Sequence, residues 1–185
     1  MRAALKRIVL VLGTTLLLVC SRGERRSVAD AAEAPKEATH GMTISSPAFA
    51  DGQSIPAKYT CDGSDTIPPL AFASVSPAAK SLALVVDDPD APGGTFDHWI
   101  VWNIPPSTSS VAEGQSPQGM TGRNGFGKGG YGGPCPPRGE HRYFFKLYAL
   151  DGTMNLTTSS GKADLEKAMK GHVIAQAQMM GRYKR

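Results

Sequence analysis

The chain has 185 residues, with 20 Lys/Arg against 16 Asp/Glu for a formal charge of +4, a length that suits one domain with an appendage. Residues 41–185 hold 13 Lys/Arg and 12 Asp/Glu, so the body is only +1 and the basic surplus sits in the first 40 residues. No run of Lys/Arg interleaved with aromatics occurs in that body, which argues against a nucleic-acid partner.

Arg2, Lys6 and Arg7 open the chain ahead of the apolar stretch "IVLVLGTTLLLVC". A positive start and an apolar run of this length read as an export signal over residues 1–19. The run falls short of the roughly 20 apolar residues that cross a bilayer. "LLLVCS" resembles a bacterial lipoprotein signal, with Leu17 three before Cys20 as the lipid acceptor, although Val19 departs from the small residue preferred there. Ala29-Asp30-Ala31 is the alternative cut. The protein is therefore expected to be exported, either to the periplasm or as a membrane-anchored lipoprotein, with a lipid on Cys20 as its only link to the membrane. Residues 20–40 are small, polar and charged, and read as a flexible tether. The folded domain is expected over residues 41–185.

Short apolar runs between turn residues dominate that domain. "MTISSPAF" and "PPLAFAS" read as weak strands, and "SLALVVDD" and "HWIVWNIP" as strong ones. The last two lack polar alternation, which predicts strands covered on both faces. "RYFFKLYAL" is the clearest strand: Tyr143, Phe145, Leu147 and Ala149 share one face, and Phe144, Lys146 and Tyr148 the other. "SSGKADLEKAMKG" predicts a helix capped by Ser159 or Ser160 and closed at Gly171, with Leu165, Ala168 and Met169 packing. "HVIAQAQMMGRY" follows as a last strand with a small-residue face of Val173, Ala175, Ala177 and Met179. Many strands, few short helices and abundant Gly/Pro turns predict a mainly β domain of β-sandwich type.

Several motifs fail on context. "GFGKGG" matches G-x-G-x-x-G, but no strand precedes it and no helix follows to meet a pyrophosphate. Gly129 stands where a P-loop needs Ser or Thr, and "GQSPQG" is one residue out from the serine-hydrolase elbow. Eight glycines between Gly119 and Gly133 still mark a long loop of the kind that carries function more often than not. Among the cysteines no Cys-x-x-Cys occurs. If Cys20 is lipidated or removed, Cys61 and Cys135 remain as an even pair; two buried free thiols are the plain reading, and a disulfide in an oxidising compartment is the other.

Two segments share one logic. "DDPDAPGGTFDHWIVWNIPP" and "GYGGPCPPRGEHRYFF" each run a Gly/Pro loop into a histidine and then an aromatic strand. If the two strands are neighbours, His98 and His141 meet at one end of the sheet, joined there by Asp88 and Asp90. A carboxylate orients an imidazole and favours its protonated form, and a protonated imidazole donates to an anion. Prolines make such a site rigid before a ligand arrives.

These blocks, together with "KYTCDGSDTIPPLAF" and "GHVIAQAQMMGRY", resemble the phosphatidylethanolamine-binding protein family, in particular its bacterial Raf-kinase-inhibitor-like branch, over residues 42–185. The resemblance implies an antiparallel β-sandwich with a small anion pocket at one end. It implies a pocket formed by Asp88, Asp90, Pro92, His98, Tyr131, Gly133, Pro137, His141 and Tyr143. The expected function is a non-catalytic binding module, without cofactor or metal, for a phosphate-bearing small molecule or phospholipid head group. The alternative is an inhibitor of a partner kinase or peptidase acting through the pocket rim. An Asp/His hydrolase comes last, since no activated Ser or Cys is evident and Cys135 is the one candidate nucleophile.

Overall fold

The computed structural model describes residues 41–185. The stretches expected to be an export segment and a tether, with Cys20, lie outside the described residues. Its strands are β1 (Thr43–Ser45), β2 (Leu70–Ala73), β3 (Ser81–Asp88), β4 (Phe96–Ile104), β5 (Ser110–Val111), β6 (Met120–Thr121), β7 (Glu140–Leu150) and β8 (Val173–Lys184). The one α-helix among the described residues, α1, spans Lys162–Met169. Strands β1, β2 and β5 form a small antiparallel sheet in the order β1-β2-β5. The others form a five-stranded antiparallel sheet in the order β6-β4-β3-β7-β8.

The missing alternation in β3 has a direct cause: all of its residues are buried. Leu82, Leu84 and Val86 face the small sheet, packing with Ile44, Leu70, Phe72 and Val111. Ala83 and Val85 face the other way, against Leu165, Met169 and Met154 of α1 and the preceding loop. Strand β4 divides likewise, with Trp99 and Val101 in the inter-sheet core and Ile100 and Trp102 under the helix. Strand β7 keeps the predicted alternation, with Tyr143, Phe145, Leu147 and Ala149 in the core. In β8 the inward face is Ala175, Ala177, Met179, Gly181 and Tyr183, while Val173 is exposed. A register irregularity between Ala149 and Leu150 takes Val173 out of that face.

The helix start differs from the expected serine cap. Gly161 is the N-cap, and its N–H donates to the Asp164 carboxylate at 3.0 Å. The acid at the third helical position thus caps the Gly161 N–H, the half of a capping box that needs no side chain at the N-cap, and no serine hydroxyl caps the first turn. Gly171 ends the helix region with φ +83°, as expected of a left-handed residue. Lys162 ties α1 to the sheet. Its ammonium and that of Lys146 both donate to Oδ2 of Asp87, at 2.6 and 2.7 Å, and the Asp87 side chain is fully buried.

Strand polarity then positions the site. Adjacent residues on a strand point to opposite faces, so Asp87 turns toward the helix side and Asp88 toward the other. Asp88 pairs with Phe96, the first residue of β4, and Asp87 pairs with Phe144 near the start of β7. One end of the sheet thus gathers the end of β3 and the starts of β4 and β7.

Candidate functional site

Asp88, His98 and His141 meet at that end, and all three are buried. Asp88 accepts the Asp90 backbone N–H on Oδ1 at 2.8 Å and the His141 Nδ1–H on Oδ2 at 2.7 Å. The His98 Nδ1–H donates to the Gly132 carbonyl at 2.7 Å. A carbonyl only accepts, so this bond fixes the tautomer and leaves Nε2 of a neutral His98 as an acceptor. Burial pushes the His98 pKa below the usual imidazole value, against the carbonyls of Gly132 and Gly133 and the charge of Asp88, which favour the proton. The ring therefore enters the neutral-pH range uncharged. It becomes a donor at Nε2 only by taking up a proton.

Beside these groups lies a cavity of about 220 Å³. Asp88 and His98 supply its polar wall, and Phe96, Phe126, Ala91, Pro92, Pro137 and Cys135 the rest. The His98 ring meets Phe96, Tyr143 and Phe126 edge-on, at centroid distances of 5.1, 5.2 and 5.6 Å. No Lys or Arg lines the cavity. Among the described residues no cluster of three or more His, Cys, Asp or Glu side chains is arranged to hold a metal ion.

Four of the nine residues implied by the resemblance, Asp88, Pro92, His98 and Pro137, stand on the cavity wall. The others sit around it in different roles. His141 lies behind Asp88. Asp90 points to Arg142, which grips both carboxylate oxygens through Nε and Nη2 at 2.8 and 2.7 Å. That guanidinium holds the Asp90 pKa down to about 2. Tyr131 packs edge-on against Trp99 and donates its hydroxyl to the Tyr59 carbonyl at 2.8 Å. Gly133 donates its N–H to Asp65 at 2.7 Å, and a Cβ there would collide with Asp65 and the backbone at Tyr59 and Thr60. Tyr143 is fully buried beneath His98. Its hydroxyl lies near Asp88 and the Cys135 backbone without reaching hydrogen-bond geometry, and burial pushes its pKa well above the usual phenol value.

Cys61 and Cys135 are bridged, with their Cα atoms 5.4 Å apart. With its sulfur in a disulfide, Cys135 has no thiolate to offer as a nucleophile. The bridge instead fastens one wall of the cavity to the turn after the short 3-10 helix Ala57–Tyr59.

The glycine-rich loop is folded around Asn124, a residue the sequence reading passed over. Its side-chain amide donates to the Gly130 carbonyl at 2.9 Å, and its oxygen accepts from the N–H groups of Phe126 and Lys128. This small ring of bonds presents Phe126 to the cavity, edge-on to Phe96 at 4.8 Å. Asn in a run of glycines is a turn signal, and a lone Phe between two of those glycines is the sequence feature that could have pointed to this wall.

A larger concavity of about 380 Å³ lies on the outer face of β7 and β8, lined by Lys146, Tyr148, Gln176, Ala177 and Gln178. It contains no histidine or carboxylate. The oriented His98 imidazole, the His141-held Asp88 and the disulfide-fastened wall belong to the smaller cavity, which is the better candidate site despite its size.

Known proteins place this arrangement. The family profile described as "Phosphatidylethanolamine-binding protein" matches residues 45–184. The UPF0098 protein PH1269 of Pyrococcus horikoshii is 52% identical over 147 residues, covering 74% of each chain. A UPF0098 protein of Methanothermobacter thermautotrophicus is 47% identical, covering 78% of this chain and 99% of the relative. A solved phosphatidylethanolamine-binding-protein homolog, CT736 of Chlamydia trachomatis, superimposes with a TM-score of 0.76 at 44% identity, over 78% of this chain and 98% of that one. YbcL of E. coli, described as a member of the mammalian PEBP family, gives 0.74 at 31% identity, over 78% of this chain and 99% of that one. The chain belongs to the phosphatidylethanolamine-binding protein family.

Proposed function

We propose that this protein is an exported, non-catalytic binding module whose small cavity takes a phosphodiester head group. Family membership supports a binding-type protein. The observation that carries the finer reading is the pair of oriented imidazoles at the cavity, with His98 on its wall and His141 held by Asp88. A cavity of about 220 Å³ lies below the roughly 300–1,000 Å³ of drug-sized sites, so it suits a head group rather than a whole lipid. Its charges favour a zwitterion over a bare phosphate. A protonated His98 would donate from Nε2 to a phosphate oxygen, a charge-assisted bond. The Asp88 carboxylate and the Phe96 and Phe126 rings suit an ammonium group at the other end. A dianion without that ammonium would face Asp88 with no Lys or Arg to offset it.

Calorimetric titration with glycerophosphoethanolamine at pH 5.5 and pH 8 tests this. As a phosphodiester it lacks the second phosphate ionisation near pH ~6, so the pH dependence belongs to the protein. Affinity should be higher at pH 5.5 than at pH 8, because acidification brings His98 toward its protonated form. Equal affinity at both values, or none at either, would refute the reading.

A further inference from the structure

Phe126 is 46% exposed although its ring closes one side of the cavity. A single exposed apolar side chain needs no explanation; its surroundings give this one meaning. Lys128 stands with its ammonium 5.9 Å from the Phe126 ring centroid, and Arg123 is held on the same loop by its bond to the Gly127 carbonyl. Arg138 directly follows the wall residue Pro137 in the chain. Arg123, Lys128 and Arg138 are all exposed, and none makes an ion pair within the described residues. The acids of the same end are engaged: Asp88 with His141, Asp90 with Arg142, and Asp97 with Lys162. The mouth therefore presents an aromatic side chain with Lys128 against its ring and further unpaired cations on the adjoining segments, while Asp65, the acid there outside an ion pair, accepts the Gly133 N–H.

We infer that this mouth docks on an anionic lipid surface, with Phe126 entering the interface and Lys128, Arg123 and Arg138 meeting the lipid phosphates. The inference rests on the head-group reading and extends it. A cavity that holds only a head group leaves the acyl chains outside, and they are most stable left in their bilayer. Docking the mouth against the membrane lets a head group enter with the rest of the lipid in place. Aromatic side chains partition to that interface, and basic ones are drawn to an anionic leaflet. This contact is separate from any lipid on Cys20.

The test uses the full chain and two vesicle compositions, phosphatidylethanolamine with phosphatidylglycerol and phosphatidylethanolamine with phosphatidylcholine. Each basic side chain near an anionic surface strengthens binding about fivefold, so Lys128→Gln with Arg138→Gln should weaken anionic-vesicle binding by roughly 30-fold. Neither residue lines the cavity, so glycerophosphoethanolamine affinity in solution should not change. A Phe126→Trp reporter gives the second reading: its emission, taken as the difference from wild type, should shift to the blue and be quenched by lipids brominated in the acyl chains. The reporter reads the mouth alone, whatever the N-terminal segment does. Unquenched emission from the reporter, or a preference for anionic over phosphatidylcholine vesicles that the double substitution leaves unchanged, would overturn the inference. A flat solution titration alongside a quenched reporter would instead refute the head-group reading while keeping the membrane contact. Head-group binding without any vesicle effect would send the mouth to a soluble or protein partner and overturn the inference alone.

Discussion

His98→Phe separates the structural and binding roles of the site. Phenylalanine keeps an aromatic ring among Phe96, Tyr143 and Phe126 but cannot donate to the Gly132 carbonyl, which His98 reaches at 2.7 Å. Gly132 is buried, and an abandoned buried acceptor costs about 1–3 kcal/mol. At roughly 2–4 °C per kcal/mol for a domain of this size, that lowers Tm by about 2–12 °C. The difference should itself depend on pH. The folded-state pKa of His98 lies below the unfolded value, so the unfolded chain binds the extra proton first. Wild-type stability from this group is complete above about pH 6.5 and declines as pH falls from there toward the folded pKa. The variant lacks that decline, so the stability gap should narrow on acidification. Binding should lose a charge-assisted hydrogen bond, about 1.5–3 kcal/mol, or roughly 10- to 100-fold at pH 5.5. Urea unfolding at pH 5.5 and 8 and calorimetry with glycerophosphoethanolamine measure the two effects. A variant that binds with wild-type affinity and pH slope would remove His98 from the site.

The remaining expectations test the scaffold and the location. Lys162→Met removes one of two cations on the buried Asp87; because Lys146 remains, the cost should be about 2–3 kcal/mol, below the ~3–5 of a fully abandoned buried charge, and a change within the scatter of surface substitutions in urea unfolding would show that Lys146 suffices. The Cys61–Cys135 bridge closes a sequence separation of 74, so replacing both by Ala should cost about 4 kcal/mol by loop-closure entropy; an unchanged denaturant midpoint would contradict that. If Cys20 carries the lipid, Cys20→Ala should move the protein from the membrane fraction to the soluble periplasmic fraction, and equal fractions for both forms would leave ordinary secretion.

The strands were legible because burial acts on every residue of a strand in a fixed period. Two-sided cover explains the unbroken apolar run of β3, and the alternation of β7 names its core residues one by one. The site was legible only as far as the strands fix it. Asp88, His98 and His141 sit at strand ends, and the sheet brings them together. The loop residues fared differently, since their direction follows from distant contacts with no local signature. Tyr131 turns inward because the Tyr59 carbonyl accepts its hydroxyl, and Asp90 turns outward because Arg142 waits across the loop. Gly133 serves packing against Asp65, a partner 68 residues away. Phe126 reaches the wall through hydrogen bonds of Asn124 that no periodicity encodes.

The most direct test of the account counts protons. Glycerophosphoethanolamine is titrated into the protein at pH 6.5 in buffers of different ionisation enthalpy, and the slope of observed heat against that enthalpy gives the protons taken up on binding. Donation from His98 Nε2 requires a proton that the free, buried ring holds only in part, so binding should take up a substantial fraction of one proton, and His98→Phe should take up none. Binding with zero uptake by the wild type at pH 6.5 would contradict the account.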